Sequence, residues 1–392
     1  MTVSAARGRS GTTPVAGRCD PRFGAVRDAF AHNFAAHDEI GAAVCVTVDG
    51  RVVVDLWGGF ADAAASRPWG PDTLVNAFSV GKGMLALVVA RLVADGRVAL
   101  DRPVADTWPE FAAADKSAIT LRDLLTHASG LPALRARLAP GSMLDWSAMT
   151  AALAAETPWW EPGTAHGYHT NTFGFLVGEV VRRVTGDSPG TMLRDLVAGP
   201  LEADVHLGLA RRHDARVAEF VWPVEPPAEA EPPDLDDLAL MRFNSYFNPS
   251  GLSGAGVVNT RAWRAAEIPS TNLHASARGV ATVYRALAAG GVHDGVSVVP
   301  RDALDEAAAP QVSGHDLVLD RASRFGLGFQ LTQPERPLGP NPGTFGHFGA
   351  GGSLGYCDPV AGVGFGYVMN QLGARWQNPR NRALVDAVYA SL

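Results

Sequence analysis

The sequence predicts an α/β protein in which an antiparallel sheet, flanked by helices from both chain ends, carries a mostly helical insertion. Three observations predict it. A hairpin pattern lies near the N-terminus, three short strand patterns and a closing helix fill the C-terminal part, and helix patterns dominate between. The expected α/β domain joins residues 21–85 to 275–392, with 86–274 as the insertion. Residues 1–20, rich in Gly, Ser, Thr and Arg, read as a flexible arm.

An amphipathic helix is expected over Phe23 to Asn33. Two apolar runs follow, from Ala43 and from Val52, joined by Asp49-Gly50, a dipeptide suited to a two-residue hairpin turn. MLALVVARLVAD, Met84 to Asp95, is apolar on nearly all sides, and Gly96 marks its end. Thr120 with Asp123 three residues on predicts a capped helix. The Pro- and acid-rich segment 223–237 cannot form a regular element and reads as a solvated loop. Strands are expected at Phe325–Leu331, Gly352–Cys357 and Val363–Met369, and a helix from Arg380 to Tyr389.

A net charge of −7 argues against nucleic acid or an anionic membrane surface as partner, since both reward a basic patch. No window is apolar for the roughly twenty residues that a membrane helix needs, and no secretory leader is expected. Cys19, Cys45 and Cys357 form no spaced framework, so a cytoplasmic setting fits. The histidines show no metal-ligand spacing: His166 and His169 lack a third partner. No cofactor is expected. Neither a phosphate-binding loop nor a G-x-S-x-G elbow is present.

The chain has thirty-one arginines and two lysines, and one lysine, Lys82, stands three residues after Ser79. Arginine stays charged at any working pH, whereas a buried lysine can lose its proton and act as a base. With nineteen serines and two lysines, chance would produce this spacing only about a tenth of a time per chain. Spacing of three on a helix sets both side chains on one face. Desolvation would hold the amine neutral, and the helix N-terminus favours a developing alkoxide.

A second constellation runs from Trp159 to Tyr168, where a Pro-Gly turn delivers the tyrosine from a loop. A phenol beside an amine can relay a proton. The third, Gly346-His347-Phe348-Gly349-Ala350-Gly351-Gly352-Ser353, is dense enough in glycine for backbone to approach a ligand closely. An attacked carbonyl needs two N–H donors, and those of Ser79 and Ala350 are the candidates.

Together these segments resemble the serine β-lactamase and penicillin-binding-protein superfamily, nearest its class C-like branch with the family VIII carboxylesterases. The resemblance extends from about residue 25 and includes Leu124–Leu131 and Gly364–Asn370. It implies a β-lactamase/transpeptidase-like fold and an acyl-enzyme on Ser79, with Lys82 and Tyr168 sharing the base role. Two positions depart from the family pattern. Thr170 stands where Y-x-N has its asparagine, with Asn171 displaced by one, and His347 replaces the lysine of K-T-G. An imidazole is mostly neutral at pH 7, so the expected substrates shift from anionic lactams toward neutral esters.

The substrate wall is expected to include His347, Gly349, Trp159 and Trp376, and His127 reads as a structural residue of its turn. The expected partner is a small ester or acyl compound, and the sequence carries no reading of oligomeric state. A transacylase using an alcohol or amine in place of water is the alternative, and a binding protein that has lost activity is the second.

Overall fold

A computed structural model describes residues 13–222 and 236–392. In chain order its strands are β1 (Val15–Cys19), β2 (Gly41–Val48), β3 (Arg51–Gly59), β4 (Val75–Phe78), β5 (Val205–His206) and β6 (Leu273–Ala275). Then come β7 (Val292–His293), β8 (Val296–Ser297), β9 (Val312–Asp316), β10 (Arg321–Phe325), β11 (Gln330–Leu331), β12 (Phe345–Phe348), β13 (Leu354–Asp358) and β14 (Val363–Met369). The helices used below are α1 (Gly24–Ala36), α2 (Val80–Ala94), α3 (Leu121–Leu125), α4 (Trp146–Ala155) and α5 (Thr172–Thr185). They continue as α6 (Pro189–Leu193), α7 (Asp237–Phe247), α8 (Arg261–Ala265), α9 (Ala277–Ala288), α10 (Arg301–Ala308) and α11 (Pro379–Ala390).

Nine strands form one antiparallel sheet in the order β1-β3-β2-β14-β13-β12-β11-β10-β9. Strands from the two chain ends meet where β2 pairs with β14, Val46 opposite Phe365. The Asp49-Gly50 turn is as expected, with both residues at positive φ, the conformation a tight hairpin of this twist requires. One face of the sheet is covered by α9 and the other by α1 and α11. Buried on both faces, β2 and β14 read as continuous apolar runs.

Between the halves of the sheet lie mostly helices, tied by the small sheet β4-β6-β5. The helix expected from Met84 begins four residues earlier, at Val80, and Gly96 follows its end at φ 68°. Nearly every side chain of α2 is buried, because α5, α10 and β12 surround it. A domain boundary at residue 85 therefore falls inside an unbroken helix of the shared core. The capping box of Thr120 and Asp123 is present.

Three further expectations need correction. Residues 15–19 are not part of an arm: Ala16 pairs with Trp57 and Arg18 with Asp55, so this segment is the edge strand of the large sheet. Phe325–Leu331 is not one strand, since Gly328 adopts φ 77° and the chain turns between β10 and β11. The acid-rich segment falls at 223–235 outside the described residues, but Asp236 caps α7 by accepting from the Ala239 N–H, and Asp237 is already helical. No described helix is long and apolar enough to cross a membrane.

Candidate active site

Ser79 sits at the junction of β4 and α2, which the chain turns by placing Phe78 at φ 51°. A bulky residue in that region costs on the order of 1–3 kcal/mol and persists only where its surroundings enforce it. Phe78 is held by Phe220 at 4.8 Å and Trp222 at 6.5 Å between ring centroids. The strained turn sets Ser79 at the helix start with its side chain unused as a cap.

The spacing of three works as expected: Lys82 Nζ lies 3.1 Å from Ser79 Oγ. Lys82 is fully buried, Ser79 8% exposed. Two backbone carbonyls complete the surroundings of the amine, Thr170 at 2.6 Å and Ser270 at 3.1 Å. Burial without a carboxylate partner pulls the ammonium well below its usual range. A neutral amine has two N–H bonds and one lone pair. With both N–H bonds on the two carbonyls, the uncharged form would turn its lone pair to the Ser79 hydroxyl. The other lysine, Lys116, has its three donors on the carbonyls of Ala113, Ala154 and Glu156 and is a structural clamp.

The approach of Ser270 to Lys82 depends on Gly81. A methyl group there would stand 2.4 Å from the Pro269 carbonyl oxygen and push that loop away.

Tyr168 is delivered by its loop as expected, and its ring centroid lies 4.7 Å from Lys82 Nζ. Its N–H donates to Asp316 Oδ1 at 2.9 Å, and the neighbouring Gly167 N–H donates to the His127 carbonyl. The phenol is completely buried, which raises its pKa well above the ordinary value, while the nearby Ser79 opposes that rise. No hydrogen bond of good geometry reaches the Tyr168 hydroxyl among the described residues. Burial thus favours the uncharged form of both the phenol and the amine.

The displaced asparagine does not return to the site. Asn171 donates to the Ser245 carbonyl and Ser253 Oγ and accepts from Thr271 Oγ1. Thr170 occupies the usual place and contributes its carbonyl. His127 accepts from the His169 N–H and packs on Tyr168 and Phe325, the structural part expected of it. His166 hydrogen-bonds with Ser323 Oγ, and His169 with Ser129 Oγ and the Gly167 carbonyl.

The glycine-rich segment comes against β4. Ser353 Oγ donates to the Ala77 carbonyl oxygen, and a Cβ at Gly349 would sit 2.2 Å from that oxygen. Only glycine lets the two backbones approach so closely. Ala350 is thereby set beside the Ser79 turn, and neither N–H, of Ser79 or of Ala350, is used by a hydrogen bond among the described residues. From behind, Asn378 and Arg380 donate to the Gly351 carbonyl and Asn381 to that of Gly352.

His347 stands on β12, fully buried, its centroid 6.0 Å from that of Tyr168. Nδ1 donates to the Phe348 carbonyl, and burial next to Lys82 lowers the ring's pKa to about 3. It backs the tyrosine as a neutral ring. Trp376 meets Tyr168 edge-on at 4.9 Å. Trp159 lies under the Arg135 guanidinium at 3.7 Å with its N–H on the Ala133 carbonyl.

Sequence reasoning missed the carbonyls of Thr170 and Ser270, because backbone oxygens carry no residue signature. It also missed Asp316 and the Asn378–Asn381 cap, whose partners lie far away in sequence.

A buried serine–lysine–tyrosine cluster at the head of a core helix, faced by a glycine-rich strand end, has the parts that a serine acyl-transfer site needs. The chain belongs to the beta-lactamase family, whose family model matches residues 26–390. It is 36% identical over 374 residues to the esterase/beta-lactamase LipL of Mycobacterium tuberculosis, covering 94% of this chain and 86% of LipL. A solved family VIII carboxylesterase superposes with a TM-score of 0.89 at 41% identity, over 97% of this chain and all of the other. A penicillin-binding-protein homolog from Caulobacter crescentus gives 0.88 at 41% identity with the same coverage.

Proposed function

We propose that this serine hydrolase is a carboxylesterase that works through an acyl-enzyme on Ser79. The observation that carries the reading is the buried Lys82 amine, 3.1 Å from Ser79 Oγ and held by two backbone carbonyls without a carboxylate partner, a setting that pulls its pKa well down. Lys82 accepts the serine proton as Oγ attacks the ester carbonyl. The N–H groups of Ser79 and Ala350 receive the oxyanion, an interaction strongest in the transition state. Tyr168, held as a phenol, is placed to protonate the departing alkoxide. Water then displaces the acyl group by the reverse sequence.

Neutral His347 adds no permanent charge at the strand, which supports ordinary esters as substrates. The names of the relatives, an esterase/beta-lactamase and a family VIII carboxylesterase, support the same reaction class.

The test is intact mass with nitrophenol release from a short p-nitrophenyl ester, wild type beside Ser79→Ala. Steady release that the variant loses is expected. Release retained by a folded Ser79→Ala protein overturns the mechanism. A burst followed by a lasting adduct on Ser79 would turn the second half-reaction from water to an alcohol or amine acceptor.

A further inference from the structure

The two carbonyls that hold the Lys82 amine, those of Thr170 and Ser270, come from segments one hundred residues apart. A lysine has a flexible stem, so its amine is only as well aimed as the acceptors that hold it. The residue after each carbonyl ties the two segments together. Thr271 Oγ1 donates to Asn171 Oδ1 at 2.6 Å, and both side chains are buried. Lys82, the peptide units that follow Thr170 and Ser270, and this one side-chain bond therefore close a ring.

Each half of the ring is anchored separately. Asn171 Nδ2 donates to the Ser245 carbonyl at 2.7 Å and to Ser253 Oγ at 3.0 Å. A carbonyl can only accept, so the amide is oriented and its oxygen is left to Thr271. On the other side Asn76, on β4, donates to the Thr271 carbonyl at 3.0 Å. Asn272 braces the same loop, accepting from the Ile268 N–H and donating to the Trp263 and Ala266 carbonyls. A second tie, from the Gly174 N–H to Ser270 Oγ at 2.6 Å, fastens the loop to the first turn of α5. Of the two ties, the Asn171–Thr271 bond is the one between the residues that directly follow the carbonyls. Around the amine the titratable groups are Tyr168, His127, His169 and His347, and burial lowers all three histidines.

We infer that Asn171 and Thr271 are positioning residues: their hydrogen bond clasps the two peptide units whose carbonyls aim Lys82 at Ser79. This role rests on the reading of Lys82 as the base for Ser79 and deepens it. The asparagine displaced by one from the Y-x-N place acts on the base through the backbone rather than by touching it.

The test compares Thr271→Val, which removes the donor, with Thr271→Ser, which keeps it. One readout is kcat/KM for p-nitrophenyl butyrate as a function of pH. The other is the titration of Lys82 followed by carbon NMR on protein labelled at lysine Cε. The chain has two lysines, so Lys82→Met assigns the signal. In Thr271→Val, kcat/KM is expected to fall at least tenfold. The Lys82 midpoint and the acid limb of the profile should both move to higher pH, because burial is what lowers this amine and a loosened one gains water. Thr271→Ser should stay within twofold of wild type with its midpoint unmoved. Urea melts establish that each variant is folded, and Thr271→Ala replaces valine in the comparison if valine does not fold.

Equal losses for valine and serine, or a lost rate with the Lys82 midpoint unmoved, overturn the clasp. Ester turnover that a folded Thr271→Val protein keeps would sink the clasp and leave the esterase reading standing. A Lys82 midpoint that moves with valine and not with serine, in a protein that turns over no ester, would do the reverse.

Discussion

Ser353 Oγ donates to the carbonyl oxygen of Ala77 at 2.9 Å. This bond fastens the glycine-rich loop to the strand that ends at Ser79, and so sets the distance between the two proposed oxyanion donors. A carbonyl oxygen at that junction also forbids any side chain at Gly349.

Removing the bond should loosen one donor without removing it. Ser353→Ala is expected to lower kcat about tenfold, less than the hundredfold or more for deleting an oxyanion donor, with KM little changed. Steady-state kinetics on a p-nitrophenyl ester checks this. A rise in KM at unchanged kcat would place Ser353 in ground-state binding instead.

Asp316 is the keystone of the tyrosine loop. Its carboxylate is fully buried and accepts from three backbone N–H groups and Ser323. Asp316→Ala leaves those donors unsatisfied, at about 1–3 kcal/mol for each that finds no water. We expect a loss of several kcal/mol in denaturant unfolding and a larger fractional loss of kcat than of stability at Ser323→Ala, which removes one of the four.

Lys82 gives up its proton far below 10.5 in the folded chain but not in the unfolded one. Between those two values the unfolded state binds the extra proton, so wild-type stability rises with pH by about 1.4 kcal/mol per unit. Lys82→Met lacks this slope. The difference in Tm, variant minus wild type, should therefore shrink from pH 7 to pH 10. A constant difference would mean that the amine stays charged in the fold.

His169, His274 and His347 are each lowered to about 3, chiefly by burial. The unfolded chain protonates them near 6.5, so stability is lost as pH falls from 6.5 toward 3. His347→Gln should flatten that slope by about 1.4 kcal/mol per pH unit, read from urea melts at pH 4 and 6. It should leave no new limb in the activity profile between pH 5 and 8, because His347 is neutral throughout.

The readable parts were those set by local chemistry. The Asp49-Gly50 hairpin, the Thr120 capping box and the helix stop at Gly96 follow from neighbouring residues. Ser79 and Lys82 were legible because a helix places i and i+3 on one face whatever surrounds it. The edge strand β1 was hidden because its half-polar sequence becomes a strand only through hydrogen bonds to β3.

By itself the sequence singled out Ser79, Lys82 and Tyr168 as the candidate nucleophile, base and proton relay, since those residue types carry that chemistry. Tertiary structure alone decided their state. Burial among carbonyls without a carboxylate partner pulls the Lys82 pKa down, and burial pushes that of the Tyr168 phenol up. Tertiary structure also committed Asn171 to Ser245, Ser253 and Thr271. Burial and pairing are properties of surroundings, assembled from residues hundreds of positions apart, and no local spacing encodes them.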